Sequence, residues 1–321
     1  MSIKKEQIKI SVLIPIYNAG NYIYDLLKTL QNQTYKNLEF VFVDDISTDI
    51  TVSVLEKAVK DDPRVKIVKR DTKGGFAAKG IEYGFKYCTG DYFWFMSHDD
   101  FLDQDFFEKC VNRVNETNAD VIVPNCILYY EGKDNKNTFK FPVNGDYTST
   151  ISNLEAFKQS LTWKIHGNTL RKMELVKKIG VEAAYYNSDE VSSRLSYFYA
   201  NSIVFVDTNF YYRQDNPNAI TKTRRWFQVD LLTTDLLLFN KLEENVDDFS
   251  FFRERITHLN KEFISWYKYY IKSIFYSRKM SVSLKNILYM RRVLQQNRKK
   301  LLNKSRKYKC QYRNLLLLAF L

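Results

Sequence analysis

Hydrophobic and polar positions follow two alternating periods over the first 125 residues. Continuous apolar and β-branched runs predict buried strands, and apolar residues spaced three or four positions apart predict amphipathic helices. The helical stripe is clearest at Ile23, Leu26, Leu27 and Leu30. The predicted strands are 8–18, 38–45, 65–70, 91–96 and 119–124. Strands that alternate with helices predict an α/β fold, a mostly parallel sheet flanked by helices.

The pattern changes after this region. Helices are predicted at 152–161 and 187–200, and strand-like segments at 202–207 and 210–214. From about Thr221 onward the pattern is helical. We therefore expect one α/β domain over 1–220, with halves 1–125 and 126–220, and a helical C-terminal extension over 221–321.

Polar side chains follow three of the predicted strands. They are Tyr17-Asn18, Asp44-Asp45 and His98-Asp99-Asp100. In open α/β sheets, ligands bind beyond the carboxyl ends of the strands. The three groups therefore predict one site assembled at one edge of the sheet.

The acidic pairs in these groups each allow two interpretations. Asp44 or Asp45 can accept a hydrogen bond from a base N–H or a ribose hydroxyl, or can cap the next helix. Asp99 and Asp100 repel each other at the end of a buried strand unless a cation compensates, and Mg²⁺ and Mn²⁺ prefer such oxygen ligands. Alternatively, they form a solvated turn with Asp103, because acids suit the first turn of a helix.

Several classes of protein lack support in this sequence. There is no G-x-G-x-x-G after the first strand and no G-x-x-x-x-G-K-[ST], so neither a dinucleotide-binding fold nor a P-loop is supported. The four cysteines show no C-x-x-C spacing, and we expect neither a disulfide nor a zinc site. The charged N-terminus lacks the apolar region of a signal peptide, and no run approaches the ~20 apolar residues that a spanning helix needs.

Charge is distributed unevenly along the chain. The whole chain has 49 basic and 37 acidic residues, yet no acid follows Glu262, and 15 Lys and Arg lie from Lys268 to Arg313. Residues 1–262 therefore carry 34 bases and 37 acids, a net charge of −3. Basic segments with aromatic or leucine residues, 263–277 and 291–313, favour an anionic membrane surface as partner. No RNA-binding motif accompanies them and no nucleic acid is expected, and a solvated helical face is the third interpretation.

The order of motifs resembles a known family. The segment "SVLIPIYNAGNYIYDLLKTLQNQTYKNLEFVFVDDISTDIT" followed by "GDYFWFMSHDDFLDQDFF" is similar to family 2 glycosyltransferases with the Rossmann-like GT-A fold, of the bacterial capsular or cell-surface polysaccharide type. The resemblance covers residues 8 to about 126 and extends more diffusely through "NSDEVSSRL" and "YYRQDNPNAIT". It makes 1–125 the nucleotide-sugar-binding half and 126–220 the acceptor-binding half.

The resemblance also implies a donor site. Pro15, Tyr17 and Asp45 would hold the uracil and ribose of a UDP-sugar. Asp99 and Asp100 would hold Mn²⁺ or Mg²⁺, with Asp100 as the direct ligand. The other implied donor contacts are Asp44, Gly75, Lys79 and His98.

Three positions depart from the family pattern. Lys79 stands where the family usually has Arg, which weakens bidentate contact with phosphate. Ser97 occupies a position often held by a further Asp. Ile46 replaces the usual Gly of "VDDGSTD", which narrows the backbone conformations available near the base.

The acceptor half contains the expected catalytic base. Family 2 enzymes invert the anomeric centre, and this needs a base on the acceptor side. Asp189 is the expected base and Glu190 its alternative, although both can simply occupy the first turn of a helix capped by Ser188. Trp163 and His166 would contact the acceptor unless they are core residues.

Arg213 is placed at the end of a predicted strand. It would contact the diphosphate or form a surface ion pair.

The resemblance implies an inverting, metal-dependent hexosyltransferase that uses a UDP-sugar. The expected acceptor is a growing glycan or glycolipid, and the expected location is cytoplasmic, at the inner face of the cell membrane. A nucleotidyltransferase that uses the paired Asp, and a non-catalytic protein that binds through its basic tail, are the alternatives. The sugar and the oligomeric state stay open.

Overall fold

A computed structural model describes residues 8–132, 138–139, 145–181, 183–280, 282–312 and Leu315. The chain divides into two compact units. The first contains the residues up to Ala184 together with Ser188–Asn218, and the second contains Tyr185–Asn187 and the residues from Ala219 onward.

The described strands of the first unit form a single nine-stranded sheet. Its order is β3-β2-β1-β4-β8-β6-β9-β5, and β7 pairs with β6. The strands are β1 Ile10–Ile16, β2 Leu38–Asp44, β3 Val65–Lys69, β4 Tyr92–Phe95, β5 Phe101–Leu102, β6 Val121–Tyr129, β7 Thr138–Phe139, β8 Leu170–Lys172 and β9 Ile203–Arg213.

Seven helices of the first unit connect these strands within the described residues. They are α1 Tyr22–Gln31, α2 Thr51–Ala58, α3 Ala77–Phe85, α4 Phe106–Thr117, α5 Asn153–Ser160, α6 Met173–Ile179 and α7 Ser188–Tyr199.

The first four strands in the sheet order run parallel, and this places their carboxyl ends together. Ile16 of β1 pairs with Asp44 of β2, which pairs in turn with Lys69 of β3. β4 pairs with β1 on its other side, also parallel. The segments that follow β1, β2, β3 and β4 therefore leave the sheet at one edge, as predicted.

The predicted fold class is confirmed, with two differences. β8 is antiparallel to both β4 and β6, so the sheet is parallel in its first block and mixed beyond it. The two strand-like segments at 202–207 and 210–214 are one strand, β9, whose register against β6 shifts between Val123 and Asn125. A bulge of this kind interrupts the alternation of side chains, which is why the sequence pattern reads as two strands.

Alternation along the buried strands divides the core of the first unit into two layers. On β1, Val12 and Ile14 face the layer that contains α1, α2 and α4, and Leu13 faces the layer that contains α3 and α6. Phe93 and Trp94 of β4 divide in the same way. Both faces are covered by helices, so these strands are apolar on both sides.

The second unit is helical, as the pattern after Thr221 predicts. A 3₁₀ helix at Trp226–Asp230 precedes α8 Leu231–Glu243, α9 Phe249–Phe275 and α10 Leu284–Lys307. Its core includes Phe239, Phe252, Phe263 and Leu294, all nearly inaccessible to solvent. In the part of the chain that the structure describes, no helix combines the length and the apolarity needed to span a bilayer.

Candidate active site

The turn after β2 is held by Asp44. The Asp44 carboxylate accepts a hydrogen bond from Ser47 N at 3.1 Å, and Ser47 Oγ accepts one from Asn18 N at 3.0 Å. Asp44 is buried, so its carboxylate serves the backbone of this turn. Asp44 therefore holds the turn that precedes α2 and does not cap that helix, whose N-cap is Ile50 with no side-chain cap bond. Its contact with a nucleotide stays a prediction.

Asp45 binds the glycine-containing loop that follows β3. Its two carboxylate oxygens accept hydrogen bonds from Gly74 N at 2.6 Å and Gly75 N at 2.8 Å. Arg70 Nη1 lies 3.2 Å from Asp45 Oδ1, and both side chains are largely buried. Gly75 has a φ of +86°, which a residue with a side chain adopts only under strain. Asp45 therefore fixes the loop 70–75 at the carboxyl edge of the sheet.

The same edge carries an exposed aromatic ring. Tyr17 follows β1, and the Lys73 ammonium lies 3.8 Å from the centroid of its ring and donates a hydrogen bond to its hydroxyl. Beneath it, Pro15 packs against Gly80, where a Cβ would come within 2.8 Å of the Pro15 ring. The close approach of α3 to β1 therefore requires a glycine.

Two other residues predicted to contact the donor, His98 and Lys79, interact with groups of the protein itself. Burial lowers the pKa of His98, while a hydrogen bond to the Pro15 backbone opposes this shift. His98 thus links the ends of β1 and β4. Lys79 Nζ pairs with Glu82 Oε2 at 3.1 Å along α3.

Asp99 and Asp100 differ in their access to solvent. Asp99 is partly exposed, and its Oδ2 accepts a hydrogen bond from Asn216 Nδ2 at 2.7 Å. Asp100 is 2% exposed, and its Oδ1 accepts one from Arg213 N at 3.0 Å. Burial and the neighbouring Asp99 raise the pKa of Asp100 well above its usual range. Asp100 therefore anchors the turn to β9, and the solvated-turn interpretation does not apply to it.

Arg213 holds the other side of this turn. Its Nε donates to the Asp99 carbonyl oxygen at 2.9 Å, and its Nη2 donates to Asp25 Oδ2 at 2.9 Å. The guanidinium lies 5.0 Å from the centroid of Tyr22 and 5.3 Å from that of Tyr129. Arg213 therefore forms an ion pair with Asp25, which is 59% exposed, from a position where its own side chain is only 5% exposed. The direct diphosphate contact stays a prediction.

Among the described residues, no group of three or more His, Cys, Asp or Glu side chains is placed to hold a metal ion, so a divalent cation here would also need oxygens of the substrate. Mg²⁺ and Mn²⁺ are commonly held by one or two protein carboxylates together with substrate phosphates. Asp99 is oriented by Asn216 and reaches solvent, whereas Asp100 is enclosed. The sequence analysis named Asp100 as the direct ligand of a cation. The accessibility of the two side chains favours Asp99 instead.

Asp189 lies at the start of α7, beside a small, mostly apolar cavity. The cavity is lined by Ala78, Ile81, Phe93, Phe95, Arg171, Val181, Asp189 and Ser192. Burial, followed by the charge of Glu190, raises the pKa of Asp189 to about 7. A carboxyl group with this pKa is available as a base near neutral pH.

Arg171 is the buried cation of the same cavity. It is fully enclosed on β8, and its guanidinium lies 5.4 Å and 5.5 Å from the ring centroids of Phe93 and Phe95. Burial lowers its pKa to about 10, while the charges of Asp189 and Glu190 oppose this shift. The cavity is therefore lined by one carboxyl group and one guanidinium group, whose charges interact in surroundings of low polarity.

Glu190 is engaged differently from Asp189. Its Oε2 lies 2.8 Å from Arg194 Nη2, one turn further along α7. The Arg194 guanidinium also lies 4.4 Å from the centroid of Trp163, whose ring is 52% exposed. Trp163 is therefore a surface residue beside α7, and its interpretation as a core residue is wrong.

His166 is a core residue. Its Nε2 lies 2.8 Å from the Pro124 carbonyl oxygen, and burial lowers its pKa to about 4. Its carbonyl oxygen accepts a hydrogen bond from Tyr197 Oη at 2.5 Å. The alternative to acceptor contact, core packing, describes this residue.

The structure groups most of the predicted site residues into two clusters. The edge formed by β1, β2 and β4 contains Pro15, Tyr17, Asp45, Gly75 and His98. The start of α7 contains Asp189 and Glu190, and Trp163 lies against it.

The sequence analysis missed Arg70, Lys73 and Asn216. Arg70 directly follows β3, so the strand-end rule that found Asp45 also applies to it. Arg171 has no comparable signal, because a basic residue in a short strand predicts exposure.

The fold and the site define a class: a glycosyltransferase with the GT-A fold. The chain belongs to glycosyl transferase family 2, whose family model matches residues 11–180. Membership sets aside the nucleotidyltransferase and non-catalytic alternatives.

Two relatives come from Streptococcus pneumoniae serotype 4. Glycosyltransferase GlyG is 29% identical over 224 residues, which cover 67% of this chain and 73% of GlyG. Glycosyltransferase GlyA is 25% identical over 244 residues, which cover 72% of this chain and 34% of GlyA.

Among solved structures, S. aureus TarS 1–349 in complex with UDP-GlcNAc superimposes with a TM-score of 0.61 at 17% identity. The match covers 95% of this chain and 93% of the TarS chain. At this identity the likeness supports the fold, and the GT-A fold predicted from the sequence is confirmed.

Proposed function

We propose that this glycosyltransferase moves a hexose from a UDP-sugar to a hydroxyl of a growing glycan, with inversion at the anomeric carbon. The donor class is supported by the exposed ring of Tyr17 beside Asp45, and by the structurally similar TarS, which binds UDP-GlcNAc. The proposed acceptor is carried on a lipid at the inner face of the membrane. The basic second unit supports this location, since anionic lipid attracts Lys and Arg.

On the donor side, the residues after β1, β2 and β3 bind the nucleotide. Tyr17 stacks on the uracil, and the loop fixed by Asp45 presents backbone and basic groups to the diphosphate. Lys73 is the exposed cation of this loop nearest to Tyr17. Arg70 keeps the loop in place through Asp45, because its own charge is occupied there.

Asp99 would hold a divalent cation, and Asn216 and Arg213 fix the position of Asp99. Bound Mn²⁺ or Mg²⁺ would neutralise the charge that develops on the departing UDP. Asp100 contributes by holding the turn against β9.

Asp189 removes the proton from the acceptor hydroxyl. The observation that carries this assignment is the pKa of Asp189, which is about 7. Asp189 lines a cavity together with Ala78 at the start of α3. Glu190 is the weaker candidate because its carboxylate is paired with Arg194. Trp163 stacks on a sugar of the acceptor, a common use of exposed aromatic rings.

The test is UDP release from a panel of UDP-sugars, measured with Mn²⁺ and with EDTA. We expect one sugar to be hydrolysed slowly without acceptor, and EDTA to abolish this. Asp99→Asn should lose most of the activity, whereas the matched change Asp105→Asn, at an exposed acid that pairs with Lys109 at the start of α4, should keep it.

Two results would contradict the proposal. One is UDP-sugar hydrolysis that is unaffected by EDTA and by Asp99→Asn, which would remove the metal site. The other is a failure to bind UDP in the presence of Mn²⁺, which would remove the donor class.

A further inference from the structure

An exposed apolar cluster lies where α9 ends and α10 begins. Phe275 is 76% exposed, Tyr276 60%, Leu284 72% and Leu288 55%, and Ile274 beside them is also exposed. α9 and α10 pack against each other as a hairpin, and Asn260 of α9 donates to Ser305 of α10 far from this turn. We call Ile274, Phe275, Tyr276, Leu284 and Leu288 the hairpin tip.

Apart from Phe249 at the far end of α9, the large apolar side chains in the rest of both helices are buried or only partly exposed. Phe263, Trp266 and Tyr270 of α9 are buried, as are Met290, Leu294 and Leu301 of α10. The segments 263–277 and 291–313 looked like amphipathic helices whose apolar faces could enter a membrane. In the structure those faces form the core of the second unit, so the hairpin tip is the part left available.

Exposed cations lie close in the chain to the hairpin tip. Lys272, Arg278, Lys279 and Lys285 are all exposed on the same two helix ends and the turn between them. No acidic residue follows Glu262 to neutralise them. Apolar side chains accompanied by Lys and Arg match the chemistry of an anionic bilayer surface, where rings and leucines enter the acyl boundary and cations meet phosphates.

Other occupants fit this surface less well. A second copy of the chain would bring two sets of cations together, and like charges oppose that contact. Single-stranded nucleic acid needs rows of stacking rings, whereas three of the five side chains here are aliphatic.

We propose that the hairpin tip inserts into the interfacial layer of an anionic membrane and attaches the enzyme to it. This inference rests on the proposed function for its location at the membrane and narrows the contact from the whole basic region to five side chains. Leu284 and Leu288, one turn apart on α10, enter on the same face.

The experiment is co-sedimentation of the full chain with phosphatidylcholine vesicles, with and without phosphatidylglycerol. We expect binding to the anionic vesicles only. The double variant Phe275→Ser with Leu284→Ser should lower the partition coefficient at least about tenfold, because each large apolar side chain contributes strongly to burial. Each of Lys272→Gln and Lys285→Gln should lower it about fivefold, and only at low salt.

A matched control is Leu237→Ser, at an exposed leucine of α8 in the same unit, which should leave binding unchanged. A reporter variant, Phe275→Trp, should shift its emission to shorter wavelengths when anionic vesicles are added. Two outcomes would overturn the proposal: equal binding by the tip variant and the native chain, or a change of oligomeric state in the tip variant with no vesicle binding by either.

UDP release by the same variants separates this inference from the proposed function. Tip variants that lose vesicle binding but release UDP normally would support the inference. Failure of the native chain to recognise any UDP-sugar would instead overturn the proposed function, and the vesicle result would still hold.

Discussion

Single carboxylates in this protein serve different purposes because their surroundings differ. Asp44 and Asp100 are enclosed and bind backbone N–H groups, whereas Asp99 is oriented but accessible. Asp189 is mostly buried next to another acid, and this is what brings its pKa to about 7. The same side chain can therefore hold a turn, anchor a strand or stay accessible, depending on what packs against it.

The first prediction concerns Asp189. A base must be ionised to accept a proton, so the transfer rate should rise with pH and level off above an apparent pKa near 7. Asp189→Asn should lower the rate by about 10²–10⁴. Its stability should be equal to or above that of the native chain above pH 7, because burial makes the charged form of Asp189 unfavourable in the folded state.

Glu190→Gln is the matched control for this prediction. Removing the neighbouring charge should move the apparent pKa of the rate profile to lower pH, because that charge is the second cause of the raised value. A pH dependence that disappears in Glu190→Gln but persists in Asp189→Asn would make Glu190 the base.

A second prediction concerns Ile46. Its φ is +65°, a left-handed conformation that costs an L-residue about 1–2 kcal/mol. Ile46→Gly removes this strain but adds flexibility to the unfolded chain, worth about 0.5–1 kcal/mol. We expect a net gain of about 1 kcal/mol, or a rise in Tm of about 2–4 °C.

Ile46→Ala is the comparison for Ile46→Gly. Alanine keeps the Cβ that makes a φ of +65° unfavourable, and Ile46 is already 40% exposed, so this variant should not raise Tm. If both variants lower Tm, Ile46 is not strained.

At the scale of elements, short connections hold the site and the helical unit. The loop 70–75 is fixed by Asp45 and Arg70, and the turn after β4 is fixed by Arg213 of β9. In the second unit, the end of α8 is joined to the end of α10 through Glu243. Lys304 Nζ lies 2.6 Å and Lys307 Nζ 2.9 Å from Glu243, and Tyr308 donates to the same carboxylate.

A third prediction follows from this cluster. Burial opposes ionisation of Glu243, but hydrogen bonds from Lys304, Tyr308 and Lys307 outweigh it and lower its pKa to about 2, from 4.5. A lowered pKa in the folded state stabilises the protein above pH 4.5, and this contribution is lost as pH falls from about 4.5 to about 2. Glu243→Gln should cost about 2 kcal/mol at neutral pH and flatten this pH dependence.

Urea unfolding at several pH values measures the effect. Glu244→Gln, at the next and exposed position, should change neither the stability nor its pH dependence. Equal loss in the two variants would mean that the cluster around Glu243 does not contribute.

At the scale of the whole molecule, the chain contains two compact units with separate cores. The residues of the donor and acceptor clusters belong to the first unit, and the hairpin tip belongs to the second. The proposed function and the proposed attachment would thus fall to different parts of the chain, and the predicted boundary near residue 220 stays a prediction.

A fourth prediction tests this division by calorimetry. We expect two unfolding transitions. UDP with Mn²⁺ should raise only one of them, by a stabilisation of about 2.7 kcal/mol at 100 times the Kd, because a ligand stabilises the unit that binds it. Glu243→Gln should lower only the other, and one transition that responds to both would contradict the division.

The sequence by itself determined the parallel block of the sheet and the edge where the site forms. β1 to β4 lie within the predicted strands, because continuous apolar runs leave few alternatives to a buried strand. Because neighbouring parallel strands end at the same edge of the sheet, the order of these strands places Tyr17, Asp45 and Asp99 at that edge. The family resemblance added the expected identity of the base.

Only the tertiary structure decided how each side chain at that edge is used. Asp99 and Asp100 are neighbours in the sequence, and β9, more than a hundred residues later, encloses one of them and leaves the other accessible. Trp163 and His166 are separated by a single turn in the chain, yet one is exposed and the other buried. The apolar faces of α9 and α10 cover each other and leave the hairpin tip exposed. Local pattern determines which element forms, but burial depends on which distant elements pack against it, and burial sets the charge and the accessibility of each group.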